Sequence, residues 1–280
     1  MKKITNIIFL LIISLTTLGC SKDESNPTET PKDDNDLPGY TLVWNDEFEG
    51  SAIDNNKWGH EVNAWGGGNN ELQYYTDRPE NSFVKDGYLH IVALQEEYTG
   101  DEGTRYYTSA RMRTMNKGDW TYGRIEVNAK IPYGQGMWPA IWMLPTDWSY
   151  GGWPSSGEID IMEHVNSGSE IHGSVHTEAY NHRIGTQKTG QISIPDADDN
   201  FHVYAIEWSE DKIDFMVDGQ VYFTFNNDKK GDYKTWPFDK RFHLLLNVAV
   251  GGDWPGNPTP QTLFPKEMVV DYVRVYNKDE

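Results

Sequence analysis

The chain has 280 residues, enough for one large all-β domain or two small domains. Its 24 basic residues stand against 43 acidic ones, a formal net charge of −19, which disfavours nucleic acid and anionic membrane and leaves a neutral ligand easy to accept. The single cysteine excludes an intrachain disulfide framework, and a chain of this size buries enough apolar surface to do without one.

Lys2 and Lys3 open the chain, and an apolar stretch follows from about Ile4 to Leu18. A membrane-spanning helix needs about 20 apolar residues, so the stretch reads as a secretory signal. Residues 1–20 end in T-L-G-C at Cys20. That ending resembles a bacterial lipoprotein signal, in which the cysteine becomes the lipidated first residue. Thr17 stands where leucine is usual, and an ordinary signal cut near Gly19 is the alternative. Residues 21–39 carry six acids, two lysines and almost nothing apolar, so a flexible acidic linker is expected. The run S-K-D-E-S after Cys20 resembles the acidic export signal of surface lipoproteins in Bacteroidetes-type bacteria, and reads equally as a plain solvated tether. The expectation is a secreted protein, lipid-anchored to the outer membrane at the cell surface and touching membrane only through that anchor. Residues 40–280 keep 37 acids against 20 basic residues, so the acidity belongs to the globular domain expected there.

From Tyr40 on, strand patterns dominate. In Tyr122 to Ile131, the polar residues Arg124, Glu126, Asn128 and Lys130 alternate with Ile125, Val127, Ala129 and Ile131, which predicts a strand with one wet and one buried face. Gly157 to Val165, G-E-I-D-I-M-E-H-V, is short, rich in Ile and Val and flanked by turn residues, again a strand. Phe201 to Trp208 is a third. Lys212 to Phe225 predicts a hairpin turning at Asp218-Gly219. Met268 to Tyr276 closes the chain as a strand. No long segment keeps helical spacing and no internal repeat is visible. The pattern predicts an all-β fold, a jelly-roll sandwich of two antiparallel sheets.

The strand at 157–165 places three carboxylates within six residues: Glu158, Asp160 and Glu163. On a strand, Glu158 and Asp160 share a face, with Ile159 and Ile161 beneath. Glu163 is out of phase by one, and a β-bulge at about Ile161–Met162 would return it to the same face. Such a row repels itself, so at least one carboxyl is held protonated. One ionised and one protonated carboxyl are what retaining glycoside hydrolysis uses, at a separation of about 5–5.5 Å. A solvated strand face or a metal site is the structural alternative. Neither accounts for the tryptophan-rich surroundings, with 11 Trp and 16 Tyr in the chain.

G-E-I-D-I-M-E resembles the active-site strand of glycoside hydrolase family 16, in the bulged form with one extra residue before the last Glu. Met162 points to the laminarinase-like branch, the endo-1,3-β-glucanases. N-N-E-L-Q-Y-Y-T (69–76), Y-T-S-A-R (107–111), Y-G-R-I-E-V-N-A-K-I-P (122–132), G-M-W-P-A-I-W-M-L-P (136–145), H-G-S-V-H-T (172–177) and V-V-D-Y-V-R-V-Y (269–276) resemble that branch in the same order. The resemblance covers about Tyr40 to Tyr276. It implies a concanavalin A-like jelly roll with a concave cleft, a retaining mechanism and a β-glucan polysaccharide substrate.

By motif position, the resemblance makes Glu158 the nucleophile and Glu163 the acid/base, with Asp160 orienting Glu158 between them. It places His176 near the acid/base, although a lone strand histidine is more often structural. Trp138, Trp142 and Trp153 match cleft tryptophans, and Trp254 is a weaker addition. An indole offers a flat apolar face and one N–H to a pyranose. Trp44, Trp58 and Trp208 are expected in the core. Asn70, Glu71 and Arg111 match positions that contact sugar hydroxyls, with a structural Glu71–Arg111 ion pair as the alternative. Glu47, Gly87 and Asp271 match a structural calcium site; the chemistry itself needs no cofactor. A monomer is expected. Other β-glycans, namely mixed-linkage glucan, agar or carrageenan, are the competing substrates, and a non-catalytic carbohydrate-binding module is the competing class.

Overall fold

The computed structural model describes residues 37–279. Cys20, the signal and most of the linker lie outside them. Two antiparallel sheets of eight strands each carry the architecture. The first sheet has as its middle Gly123–Lys130, flanked by His202–Trp208 and by the closing strand Lys266–Lys278. Tyr40–Asp46 and Tyr88–Ala93 both pair with that closing strand. The second sheet runs in order from Lys188–Ser193 through Glu170–His176, Glu158–Glu163, Met137–Pro145 and Phe242–Val250 to Arg111–Arg113 and Gly59–His60.

The core lies between the sheets. Ile125, Val127, Phe215 and Val273 of the first meet Ile141, Ile159, Ile171 and Leu246 of the second, all fully buried. Burying each such side chain stabilises the fold by about 1.5–3 kcal/mol. The predicted hairpin is present as Lys212–Val217 and Gln220–Asn226. Its turn puts Asp218 and Gly219 at φ 50° and 76°, the left-handed geometry that this residue pair tolerates. Trp58 and Trp208 are core residues, 1% and 2% exposed, and Trp44 packs against that core.

One expectation needs correcting. The polar face of Gly123–Lys130 is not uniformly wet: Glu126 is only 7% exposed. Arg124 donates to Glu126 at 2.6 Å and to Glu207 on the neighbouring strand at 2.8 Å, so the face is closed over by its own ion pairs. Phe242–Val250 was not marked by alternation, because all nine of its residues are buried.

The strand Glu158–Glu163 sits inside the second sheet, paired on both sides. Opposite it on one side, Ala140 aligns with Glu163, Ile141 with Met162 and Trp142 with Asp160. On the other, His176 aligns with Glu158, Ser174 with Asp160 and His172 with Glu163. Both ladders slip by one residue between Asp160 and Met162 or Glu163, which leaves Ile161 as the extra residue of a bulge.

Candidate active site

The bulge sends Ile159, Ile161 and Met162 into the core, all at most 1% exposed. Glu158, Asp160 and Glu163 are left on the opposite face. Each outer carboxylate is held by an indole. Trp153 Nε1 donates to Glu158 Oε2 at 3.0 Å, and Trp138 Nε1 donates to Glu163 Oε1 at 3.0 Å. His176, across from Glu158, brings its Nε2 to 3.2 Å from Asp160 Oδ2 and 3.7 Å from Glu158 Oε1. The expected neighbours of the three acids are thus in place, but His176 lies beside Glu158 and Asp160 rather than beside Glu163.

The remaining tryptophans differ in use. Trp142 donates its Nε1 to Asn247 Oδ1 at 2.7 Å, which fixes the ring on the sheet. Trp254 is 43% exposed and stands edge-on to Trp138, ring centres 5.5 Å apart. Its other neighbour is His172, at 5.0 Å.

Glu71 and Arg111 form the ion pair that the sequence left open. They are 6% and 5% exposed, and Arg111 Nη2 lies 3.7 Å from Glu71 Oε2. That oxygen also accepts from Gln73 at 2.7 Å. The other, Oε1, is tucked beneath Gly67, where an added Cβ would come within 2.0 Å of it. Only glycine fits there, at φ 61°. Glu71 therefore braces the 66–70 loop from inside, and Arg111 is held between the rings of Tyr75 and Trp142 at 4.6 and 5.2 Å. Asn70 donates to the Asp253 carboxylate at 2.9 and 3.1 Å, tying that loop to the one that carries Trp254.

The carboxylates matched to a calcium site are engaged with neighbouring side chains. Both oxygens of Glu47 accept from Arg274, each at 2.9 Å, and Asp271 accepts from Asn128 at 3.0 Å. Gly87 offers only its main chain, and a hard cation takes about six to eight oxygen ligands.

Arg183 and His182 were not anticipated. The Arg183 guanidinium lies 4.5 Å over Trp153, and His182 lies 5.1 Å from the same ring. They belong to a single 3-10 turn, His182–Ile184, too short to show a periodicity that would mark them in the sequence. His172 did have one: with Ser174 and His176 it shares one face of Glu170–His176 by period two.

The model of glycosyl hydrolases family 16 matches residues 68–274 of this chain. The chain belongs to glycosyl hydrolases family 16. It is 49% identical over 269 residues to a beta-glucanase of Rhodothermus marinus, across 92% of this chain and 91% of that protein. The X-ray structure of the laminarinase from Rhodothermus marinus superposes with a TM-score of 0.82 at 50% identity, covering 88% of this chain and 100% of that one. The laminarinase catalytic domain from Thermotoga maritima gives 0.81 at 42% identity, covering 86% and 99%.

In this family 16 chain the three carboxyls are electrostatically coupled. Burial raises Glu158 to about 8, helped by the charge of Asp160, while His176 and the Trp153 N–H oppose the rise. Burial raises Asp160 likewise, against a contact with the Glu158 carboxyl that pulls it down. Burial and then Asp160 raise Glu163, opposed by His176 and the Trp138 N–H. The group therefore holds protons at neutral pH and ionises in steps shared among its members. A carboxyl raised on folding costs nothing below its ordinary pKa and progressively destabilises the fold as pH rises toward 8.

Two variants should move the pH–rate profile in opposite directions. Asp160→Asn removes a charge that raises both glutamates, so both limbs of kcat/KM against pH shift to lower pH. Trp138→Phe removes a hydrogen bond that favours ionised Glu163, so the alkaline limb shifts to higher pH. Profiles of the two variants beside the wild type check both signs.

Proposed function

We propose that this family 16 hydrolase is a retaining endo-β-glucanase that cleaves internal 1,3-β-glucosidic bonds of laminarin-type glucans. The observation that carries the reading is the bulge at Ile161, which puts Glu158 and Glu163 on one face, each clamped by an indole N–H. The names of the relatives, a beta-glucanase and two laminarinases, support the substrate class.

The mechanism assigns one role to each side chain. Glu158, ionised, attacks the anomeric carbon while Glu163 gives its proton to the leaving oxygen. A covalent glycosyl-enzyme results. Glu163, now ionised, takes a proton from water, and the water attacks the same carbon and frees Glu158. Asp160, between them and almost fully buried, keeps the proton balance and orients Glu158. The exposed ring of Trp254 offers a stacking surface for glucose units.

The reading includes secretion and a lipid anchor at Cys20, supported by the T-L-G-C ending and the acidic stretch after it. It also includes a monomer and residues 40–280 as the hydrolase domain.

The two glutamates should separate in azide rescue. Glu158→Ala cannot form the covalent intermediate, so azide enters from the vacated face and gives an α-glycosyl azide. Glu163→Ala still forms the intermediate from a substrate with a good leaving group, and azide then gives the β-azide. Each variant should lose at least about 10²–10⁴-fold in rate on glucan. Azide products of the opposite pattern would reverse the two roles.

For the anchor, Cys20→Ala should shift the protein from the membrane fraction to the soluble fraction. Unchanged fractionation would favour an ordinary cleaved signal.

A further inference from the structure

We infer that Glu158, Asp160 and His176 together form a binding site for a borderline transition-metal dication of the Zn2+ or Co2+ kind, which blocks the nucleophile reversibly. Three ligand atoms, one from each residue, lie within 4.8 Å of one another, the only such cluster among the described residues. The His176 Nε2 separations are 3.2 Å to Asp160 Oδ2 and 3.7 Å to Glu158 Oε1. A tetrahedral zinc ion with bonds of about 2.0–2.1 Å places its ligands about 3.3 Å apart. Two edges of that tetrahedron are therefore nearly built.

A second feature points to a ligand. Asp160 is 2% exposed, and its buried Oδ2 makes no aligned hydrogen bond; its polar neighbour is His176 Nε2, at 3.2 Å. A buried carboxylate oxygen without a hydrogen bond is costly, and a cation would satisfy it. Trp153 holds Glu158 by Oε2, which leaves Oε1 as the oxygen nearest His176. Three protein ligands leave a fourth position for water, as in open zinc sites.

The donor set also sets the ion. Two carboxylates and one imidazole suit zinc, cobalt, nickel and copper. They are too few and too mixed for calcium, and magnesium loses its water reluctantly. Affinity should be modest. His176 Nδ1 is buried with no acceptor, and metal-bound histidines are normally steadied by one, at about 10–100-fold in affinity. The ion is thus an exchangeable inhibitor that competes with substrate at Glu158. His202 makes a useful contrast, since Asp218 faces its Nδ1 and Asp196 its Nε2, so the two acids cannot share one ion with it.

The test is a Co2+ titration of the full-length protein without substrate, so it stands apart from the glucanase reading. The expected result is a visible d–d band of low-coordinate cobalt at one equivalent, displaced by Zn2+. The band should vanish in His176→Ala and in Asp160→Asn, each shown to be folded by near-UV circular dichroism. In hydrolysis assays Zn2+ should raise apparent KM without lowering kcat. His176→Ala should weaken that inhibition by about tenfold or more, relative to its own uninhibited rate. Mg2+ and Ca2+ should not inhibit. No band, a band that survives both substitutions, or one with thiolate charge transfer that places the ion on Cys20, would overturn the inference. Equal inhibition by Ca2+ would do the same.

Discussion

A strand alternates its side chains, so in a regular ladder Glu163 would point to the core with Ile159. The extra residue at Ile161 removes that outcome. It lets Ile161 and Met162 both enter the core, and returns Glu163 to the face of Glu158 and Asp160. The ladders on either side of this slip set the partners of the two glutamates. Trp138 meets Glu163 because Ala140, two residues along the same strand, is in register with it. His176 meets Glu158 because the ladder before the slip aligns them.

Bringing three acids together costs free energy, and the surroundings decide who keeps a proton. Burial pushes all three upward, and the charge of Asp160 adds to the rise of the two glutamates. The indole N–H groups of Trp153 and Trp138 push the outer two back toward ionisation. Asp160 has no such indole and sits deepest of the three. That asymmetry leaves the outer glutamates free for chemistry and makes Asp160 the group that modulates them. The braces further out serve position rather than charge. Glu71 supports the 66–70 loop from within, and Asn70 ties that loop to Asp253 beside Trp254.

Much of this was legible in the residues, and the reasons differ from place to place. Asp218-Gly219 named its hairpin because few pairs tolerate two left-handed positions in succession. The adjacent apolar pair Ile161–Met162 announced the bulge, since a period of two cannot otherwise reconcile Asp160 with Glu163. Phe242–Val250 was harder, because a strand covered on both faces shows no alternation. Glu126 looked like a solvated residue because alternation cannot show that Arg124, itself bound to Glu207 on a neighbouring strand, pairs with it. Glu71 and Arg111 could be read as sugar contacts or as a pair, and only the fold of the loop over Gly67 separates the two. Arg183 reaches Trp153 from the short 3-10 turn His182–Ile184, whose position no local pattern encodes.

The bulge fixes not only which carboxyls meet but how far apart they stand, and that spacing dictates stereochemistry. Carboxyls about 5–5.5 Å apart leave room for attack by one of them, whereas about 6.5–9.5 Å admits a water between sugar and base. Proton NMR of a fresh laminarin digest reads this directly, before mutarotation mixes the anomers. The account predicts that the β-anomer appears first and the α-anomer grows in later. An α-anomer appearing first would contradict it, because Glu158 would then not be the attacking group.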